Sequence, residues 1–324
     1  MTNIYYSKEL DGKFIDKLRS ELSERFKGCK KIAVKMHFGE LGNTKAFTPK
    51  DIKPIVELLE SMGFDYYLYD SSVMYGGPRS NPSTHKALAL AKGFRKVETG
   101  DEFVEVKGKV LTYQVCTKLT DADGVLVLTH VKGHVCPGFG GAIKNLGMGA
   151  LTKKTKTLIH TGGRPVFSGK CERCGKCVEN CPINGLKLED GKEYPVIKRC
   201  YGCSNCAYVC PHNVISPKVD FFDFLLAEGA NAAQSKFKKF YYVSAIRNIS
   251  QKCDCEPFPG KIIADDIGWI MAPDGVAIDK AAYDLIVKKN GEVFLKHNKK
   301  KGIEQIDAAE KLGMGRKKYN LKLV

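Results

Sequence analysis

Residues 171–182 read CERCGKCVENCP and residues 200–211 read CYGCSNCAYVCP. Both have the form C-x-x-C-x-x-C-x-x-x-C-P, the spacing with which paired bacterial-type iron–sulfur clusters are held. Three closely spaced thiolates let one loop wrap three corners of a cubane, so the fourth corner has to come from farther away. In two-cluster ferredoxins it is the last cysteine of the other run. On that rule one 4Fe–4S cluster takes Cys171, Cys174, Cys177 and Cys210, and the second takes Cys181, Cys200, Cys203 and Cys206. Structural zinc also accepts four thiolates, but its motifs pair two plus two and need neither the third close cysteine nor the proline.

The 324 residues suffice for one large domain or two ordinary ones. The start, MTNIYYSKEL, lacks an export pattern, no apolar run reaches membrane-span length, and thirteen cysteines fit a reducing compartment. A cytoplasmic protein without a membrane segment is therefore expected. The formal charge of +16 calls for an acidic partner, whether a redox protein, a small anionic substrate or nucleic acid. No nucleic-acid recognition motif accompanies the lysines, which disfavours the last. The basic residues thicken towards the end, at Lys288, Lys289, Lys296, Lys299, Lys300, Lys301, Arg316, Lys317 and Lys318, and read as a solvated surface.

Outward from the cysteines, both flanks alternate apolar runs with helical patterns, which predicts an α/β class with a mostly parallel sheet and helices on both faces. Strands are expected at Lys31–His37, Asp65–Tyr69, Gly124–Leu128, Lys156–Ile159, Phe240–Ala245, Lys261–Ala264 and Gly268–Met271. Thr48, Pro49 and Asp51 signal a helix start, complicated by Pro54; further helices are expected near His85–Ala91, Gly141–Leu151, Asp220–Ala233 and Asp279–Lys289. The region after the cysteines has too few strands for a protected sheet of its own. The reading is an α/β domain in two parts, 1–166 and 217–324, with a small α+β two-cluster ferredoxin-like module inserted at 167–216.

In open α/β sheets, ligands gather beyond the carboxyl ends of the strands. There the sequence sets His37 with Lys35 and Glu40, then Asp70, then His130, Lys132 and His134, and finally His160. The alternation at 130, 132 and 134 puts three side chains on one side if the segment stays extended. Five of the seven histidines fall between His37 and His160, suggesting a shared site. Candidate catalytic residues are His37, His130, Lys132, His134 and Lys144. The glycine-rich stretch from Cys136 to Asn145 reads either as an anion cradle opening a helix or as a tight turn. Asp265, Asp266, Asp274 and Asp279 either face the same cleft or cap helices and turns. Cys253 and Cys255 form a C-x-C pair, either a third metal site or two free thiols.

The stretches KMHFGE, YDSSVMYGGPRSNPSTHKAL, HVKGHVCPGFGGAIKNLGMG and DIGWIMAPDGVAID resemble the domain-of-unknown-function family 362, whose members are uncharacterised iron–sulfur centre proteins, often with a two-cluster ferredoxin insert. The resemblance covers nearly the whole chain. It implies the insertion architecture and sets Lys35, His37, Glu40, Asp70, Tyr75, Arg79, His85, His130, Lys132, His134, Lys144 and Asn145 on matched motif positions, without implying a reaction. The expected function is electron transfer or an oxidoreductase reaction at a site on the α/β domain. A non-redox catalyst or binding protein with structural clusters is the alternative, and assembly into a homo-oligomer stays open.

Overall fold

Strands buried on both faces read as continuous apolar runs rather than alternating ones, and VLVL within Gly124–His130 is such a run, buried along its whole length. In the computed structural model, which describes residues 1–324, it lies at the centre of an eight-stranded sheet. The sheet strands are β1 (Thr2–Ser7), β2 (Lys31–Lys35), β3 (Asp65–Tyr69), β4 (Val97–Glu98), β5 (Gly124–His130), β6 (Phe240–Ile246), β7 (Gly268–Ala272) and β8 (Tyr319–Leu323). Their order is β8-β1-β7-β6-β5-β2-β3-β4. From β6 to β4 all pairings are parallel; β7 runs antiparallel to both neighbours, and β1 and β8 are parallel. The chain is thus an α/β fold with a mostly parallel sheet, and strands from before and after the cysteine runs pair with each other in it.

Side chains one apart along a strand enter different cores. Leu126 and Leu128 pack in one core with Phe14, Leu18 and Leu22 of α1 (Gly12–Arg25), Ile52, Ile55 and Leu59 of α2 (Pro49–Ser61) and Ala89 of α3 (Pro82–Ala91). Val125 and Val127 face the other layer, built by α4 (Ala142–Gly149), α6 (Phe222–Gln234), α7 (Gly275–Asn290) and α8 (Ile303–Lys311). The Thr48–Asp51 capping box starts α2 where the sequence signals it, and the helix runs on through Pro54 because its buried stripe continues beyond that residue.

Two expected strands do not form. Lys156–Ile159 belongs to the helix α5 (Lys153–Gly162), capped by Thr152, whose buried Thr155, Ile159 and Gly162 repeat at helical spacing. Lys261–Ala264 makes only an isolated bridge, Ile262 to Ser250; Pro259 and Gly260 break extended pairing just before it. The two strands from the chain ends, β1 and its edge neighbour β8, carry no strong sequence pattern.

The cysteine-rich segment leaves α5 and returns to α6 through a short antiparallel neck, Pro165–Phe167 against Ile215–Pro217. Its left-handed residues repeat at an offset of 29: Arg173 with Gly202, Gly175 with Ser204, and Asn184 with Asn213. The same turns are therefore wound around each run. The second run docks on the α/β domain. Ser204 Oγ donates to the Gly163 carbonyl and accepts from the Phe222 N–H, and Tyr201 presents its carbonyl to His160 Nδ1 at 2.7 Å. A side chain on Gly202, which has φ +69°, would run into the His160 carbonyl. Contrary to the reading of the basic terminus as solvated, Lys300 is buried, donating to the Cys203 carbonyl and pairing with Asp223, while Lys299 donates to the carbonyls of Glu179 and Cys181. These lysines clamp the module by donating to its backbone carbonyls, which must find partners where water is excluded.

Candidate functional site

Two cavities in the cysteine-rich segment each gather four cysteines of the two runs, and Cys136 of the α/β domain also lines the second. One takes Cys171, Cys174, Cys177 and Cys210; the other takes Cys181, Cys200, Cys203 and Cys206. Each set joins three cysteines of one run to the last of the other, a four-thiolate donor set that suits a cubane cluster. Backbone N–H groups of Arg173, Gly185 and Gly202 already point at the sulfurs of Cys171, Cys181 and Cys200, at 3.4, 3.1 and 3.3 Å. The residues fit the group. Cys174 is exposed, so the first set faces solvent, while Val135 and Cys136 of the α/β domain wall the second.

Beyond the carboxyl ends of β2, β3, β5 and β6 opens a cleft of about 770 Å³. Its walls include Lys35, His37, Asp70, His130, Lys132, His134, Lys144 and Asn145, and also Cys253 and Cys255 from the loop after β6. Val135, Cys136, Cys200 and Tyr201 line both this cleft and the cavity of the second cysteine set. His160 reaches the cleft from α5 rather than from a strand end.

Most of the charged residues in the cleft hold one another. Lys35 donates to Asp70 at 3.2 Å and to the Asn145 side-chain oxygen at 2.8 Å, and Arg79 binds the other Asp70 oxygen at 3.0 Å. Burial alone would raise the Asp70 carboxyl, but Lys35 and Arg79 outweigh it and hold it at about 2. Arg79 also reaches Glu40, the Tyr75 hydroxyl and His85 Nε2. Lys132 pairs with Asp254, which His130 Nδ1 also contacts at 3.1 Å; His130 Nε2 faces the Arg247 carbonyl at 2.7 Å. Both ring nitrogens of His130 are thereby used, so it acts as a clamp on the 247–254 loop.

What remains free is a set of donors. His37 Nδ1 accepts the Gly39 N–H at 2.9 Å, and His134 Nδ1 accepts the Cys136 N–H at 3.0 Å. An Nδ1 that accepts puts the proton of a neutral imidazole on Nε2. Burial, followed by Arg79 for His37 and Lys144 for His134, drives both rings well below the usual histidine value, so they stay neutral Nε2–H donors. Lys144 has no carboxylate at ion-pair distance, and neither has Lys156, which donates to Ser71 and to the Ser72 carbonyl. Removal from water, reinforced by Lys132, pushes the Lys144 ammonium down to about 7, and Lys156 is lowered to about 8. The cleft is built to receive negative charge. Reductive methylation is expected to mark Lys144 ahead of ordinary lysines at pH 8, with its rate falling as pH drops through 7; peptide mass spectrometry reads this, and a Lys144 as slow as surface lysines at pH 8 would contradict it.

Other sequence expectations resolve differently. The amides opening α4 are not a free anion cradle: the Asp279 carboxylate accepts the Ala142 and Ile143 N–H groups at 2.6 and 2.8 Å, so the chain supplies its own anion. Asp274 caps α7, and Asp265 and Asp266 face Lys289 and Arg247 at the surface; none of the four lines the cleft. Cys253 and Cys255 are joined as a disulfide rather than standing as free thiols. Lys156, Cys136 and Tyr201 line the cleft although sequence reasoning did not single them out. Lys156 was hidden inside an expected strand, and the other two carry no local signal.

A family described as Domain of unknown function (DUF362) matches residues 32–284. An uncharacterized ferredoxin of Methanocaldococcus jannaschii is 38% identical over 53 residues, which are 16% of this chain and 34% of that protein. The match thus spans about a third of the ferredoxin. Among solved structures, a Thermotoga maritima protein is 12% identical with a TM-score of 0.42, over 94% of this chain and 60% of that one. The lactate racemase apoprotein from Thermoanaerobacterium thermosaccharolyticum is 10% identical with a TM-score of 0.38, over 76% of this chain and 50% of that one. No helix of the protein is long and apolar enough to cross a membrane.

Proposed function

The chain belongs to the family described as Domain of unknown function (DUF362), and we propose that it is an iron–sulfur electron-transfer protein serving a small anionic substrate in the cleft. One 4Fe–4S cluster is assigned to Cys171, Cys174, Cys177 and Cys210, and the other to Cys181, Cys200, Cys203 and Cys206. Such clusters, when bound, supply single electrons at potentials set by hydrogen bonds to sulfur and by solvent exposure.

The observation that carries the reading is the shared wall: Val135, Cys136 and Tyr201 line both the second cysteine cavity and the cleft, and so does Cys200, itself one of that set. The solvent-facing first set, with Lys170 and Lys198 exposed nearby, suits an acidic redox partner protein. On the cleft side, His37 and His134 offer Nε2–H groups to an oxyanion, and Lys144 adds charge or a proton. Lys132 and His130 act from behind, by holding the loop of Asp254.

The test is anaerobic purification of the full chain, followed by iron and sulfide analysis and a reductive titration read by electron paramagnetic resonance. About eight irons and reversible one-electron reduction at each of two centres are expected. Iron lost on reduction would instead mark the clusters as structural and overturn the electron-transfer reading in favour of a non-redox catalyst or binding protein.

A further inference from the structure

We propose that Cys253 and Cys255 are a redox-active dithiol–disulfide pair facing the cleft, which exchanges with an incoming thiol. The pair stands apart from the cluster assignment, since it lies on the loop after β6 and outside both cysteine runs.

The two sulfurs have different surroundings. Cys253 is 2% exposed, whereas Cys255 is half-buried and open to the cleft. The Cys253 sulfur lies 3.4 Å from the Cys255 N–H and 3.9 Å from Lys144 Nζ, and Lys144 has no competing carboxylate at ion-pair distance. A thiol approaching through the cleft reaches the Cys255 sulfur, and the pair of electrons from the broken S–S bond lands on the Cys253 sulfur. There a backbone N–H and an ammonium favour the thiolate. The mixed disulfide on Cys255 is then resolved by a second thiol and leaves as the oxidised dimer, while one released proton goes to Cys255 and the other is held between the Cys253 sulfur and Lys144 Nζ. Net, two thiols become one disulfide as the protein disulfide becomes a dithiol. The reverse direction reoxidises the pair.

Rigid backbone keeps the sulfurs adjacent in both states. Three consecutive carbonyls are pinned: that of Asp254 by the Glu40 N–H at 2.8 Å, that of Cys255 by the Tyr75 hydroxyl at 3.1 Å, and that of Glu256 by Asn43 Nδ2 at 2.8 Å. The residue between the cysteines, Asp254, is itself anchored by Lys132 and His130. A pair held this way re-forms its bond at high effective concentration. One rival chemistry uses the same atoms: a ligand nitrogen of His134 lies within 4.8 Å of both sulfurs, so the reduced pair could be taken by a soft metal ion.

The test uses the full chain, equilibrated without oxygen over a series of reduced to oxidised dithiothreitol ratios, quenched with acid and alkylated. Trypsin releases CDCEPFPGK, residues 253–261, which holds these two cysteines and none of the cluster cysteines. The peptide should pass reversibly between zero and two labels. Lys144→Met should shift the midpoint towards the disulfide by roughly tenfold in the equilibrium constant, because the thiolate loses its cation. Three results would overturn the proposal: a peptide that stays in one state at every ratio, an unmoved midpoint in Lys144→Met, or one equivalent of zinc that co-purifies with the reduced protein and blocks labelling. None of these depends on whether the clusters transfer electrons.

Discussion

Replacing Cys181 by Ala is expected to abolish the same centre as replacing Cys203, although Cys181 belongs to the other run. Each single substitution should lower the iron content from about eight to about four, or lower still if the partial site fails to assemble. The decisive comparison is between doubles. Cys181→Ala with Cys203→Ala strikes one cavity twice, so iron should fall no further than in either single variant. Cys181→Ala with Cys174→Ala strikes both cavities, so iron should fall towards zero. This is the logic of coupled against independent sites. If the Cys181–Cys203 pair empties both centres while Cys181–Cys174 empties one, each run holds its own cluster and the cross-linked arrangement is wrong. The geometric reason to expect crossing is that Cys181 lines the cavity of Cys200, Cys203 and Cys206, while Cys210 lines that of Cys171, Cys174 and Cys177.

Asp70→Asn should cost the α/β domain about 3 kcal/mol, the scale for removing one partner from a buried charge pair. The neutral amide keeps the shape but leaves Lys35 and Arg79, both buried, facing each other without the carboxylate that separates them. Asn145 and the Met36 carbonyl still hold Lys35, and Glu40 still faces Arg79, which limits the loss. The measurement is the unfolding midpoint followed through Trp269, the single tryptophan, which sits in β7 of the sheet. The acid limb adds a second check. A carboxyl held at about 2 against an ordinary 3.8 contributes stability that is fully present above the ordinary value and lost as pH falls through about 2. The wild-type protein should therefore lose stability more steeply between pH 4 and pH 2 than Asp70→Asn. Equal slopes, together with an unchanged midpoint at neutral pH, would mean that the Lys35–Asp70–Arg79 cluster carries no net weight.

Much of the architecture is legible along the chain because its signals are local. A buried parallel strand announces itself in four or five consecutive apolar residues, as at Gly124–His130, and a helix start in a capping box, as at Thr48 and Asp51. The failures are equally local in origin. KTLI at 156–159 reads as a strand because its Thr and Ile favour one, yet it folds within helix α5 because Thr155, Ile159 and Gly162 bury together against the layer beneath. The edge strand β8 is so exposed that no apolar pattern marks it.

The candidate site divides along the same line. Sequence alone determined the two cysteine runs and the polar residues at the ends of β2, β3 and β5, since spacing within a run and position at a strand end are properties of neighbours in the chain. Tertiary structure decided which of those residues are free to act. It tied His130 and Lys132 to Asp254, left His37 and His134 as Nε2–H donors, filled the helix amides with Asp279, and set Lys144 beside a cysteine 109 residues away. The physical reason is that a charge or a hydrogen-bond donor is defined by what lies within about 4 Å of it. In this protein those partners come from distant segments, which meet only when the sheet brings its strand ends together.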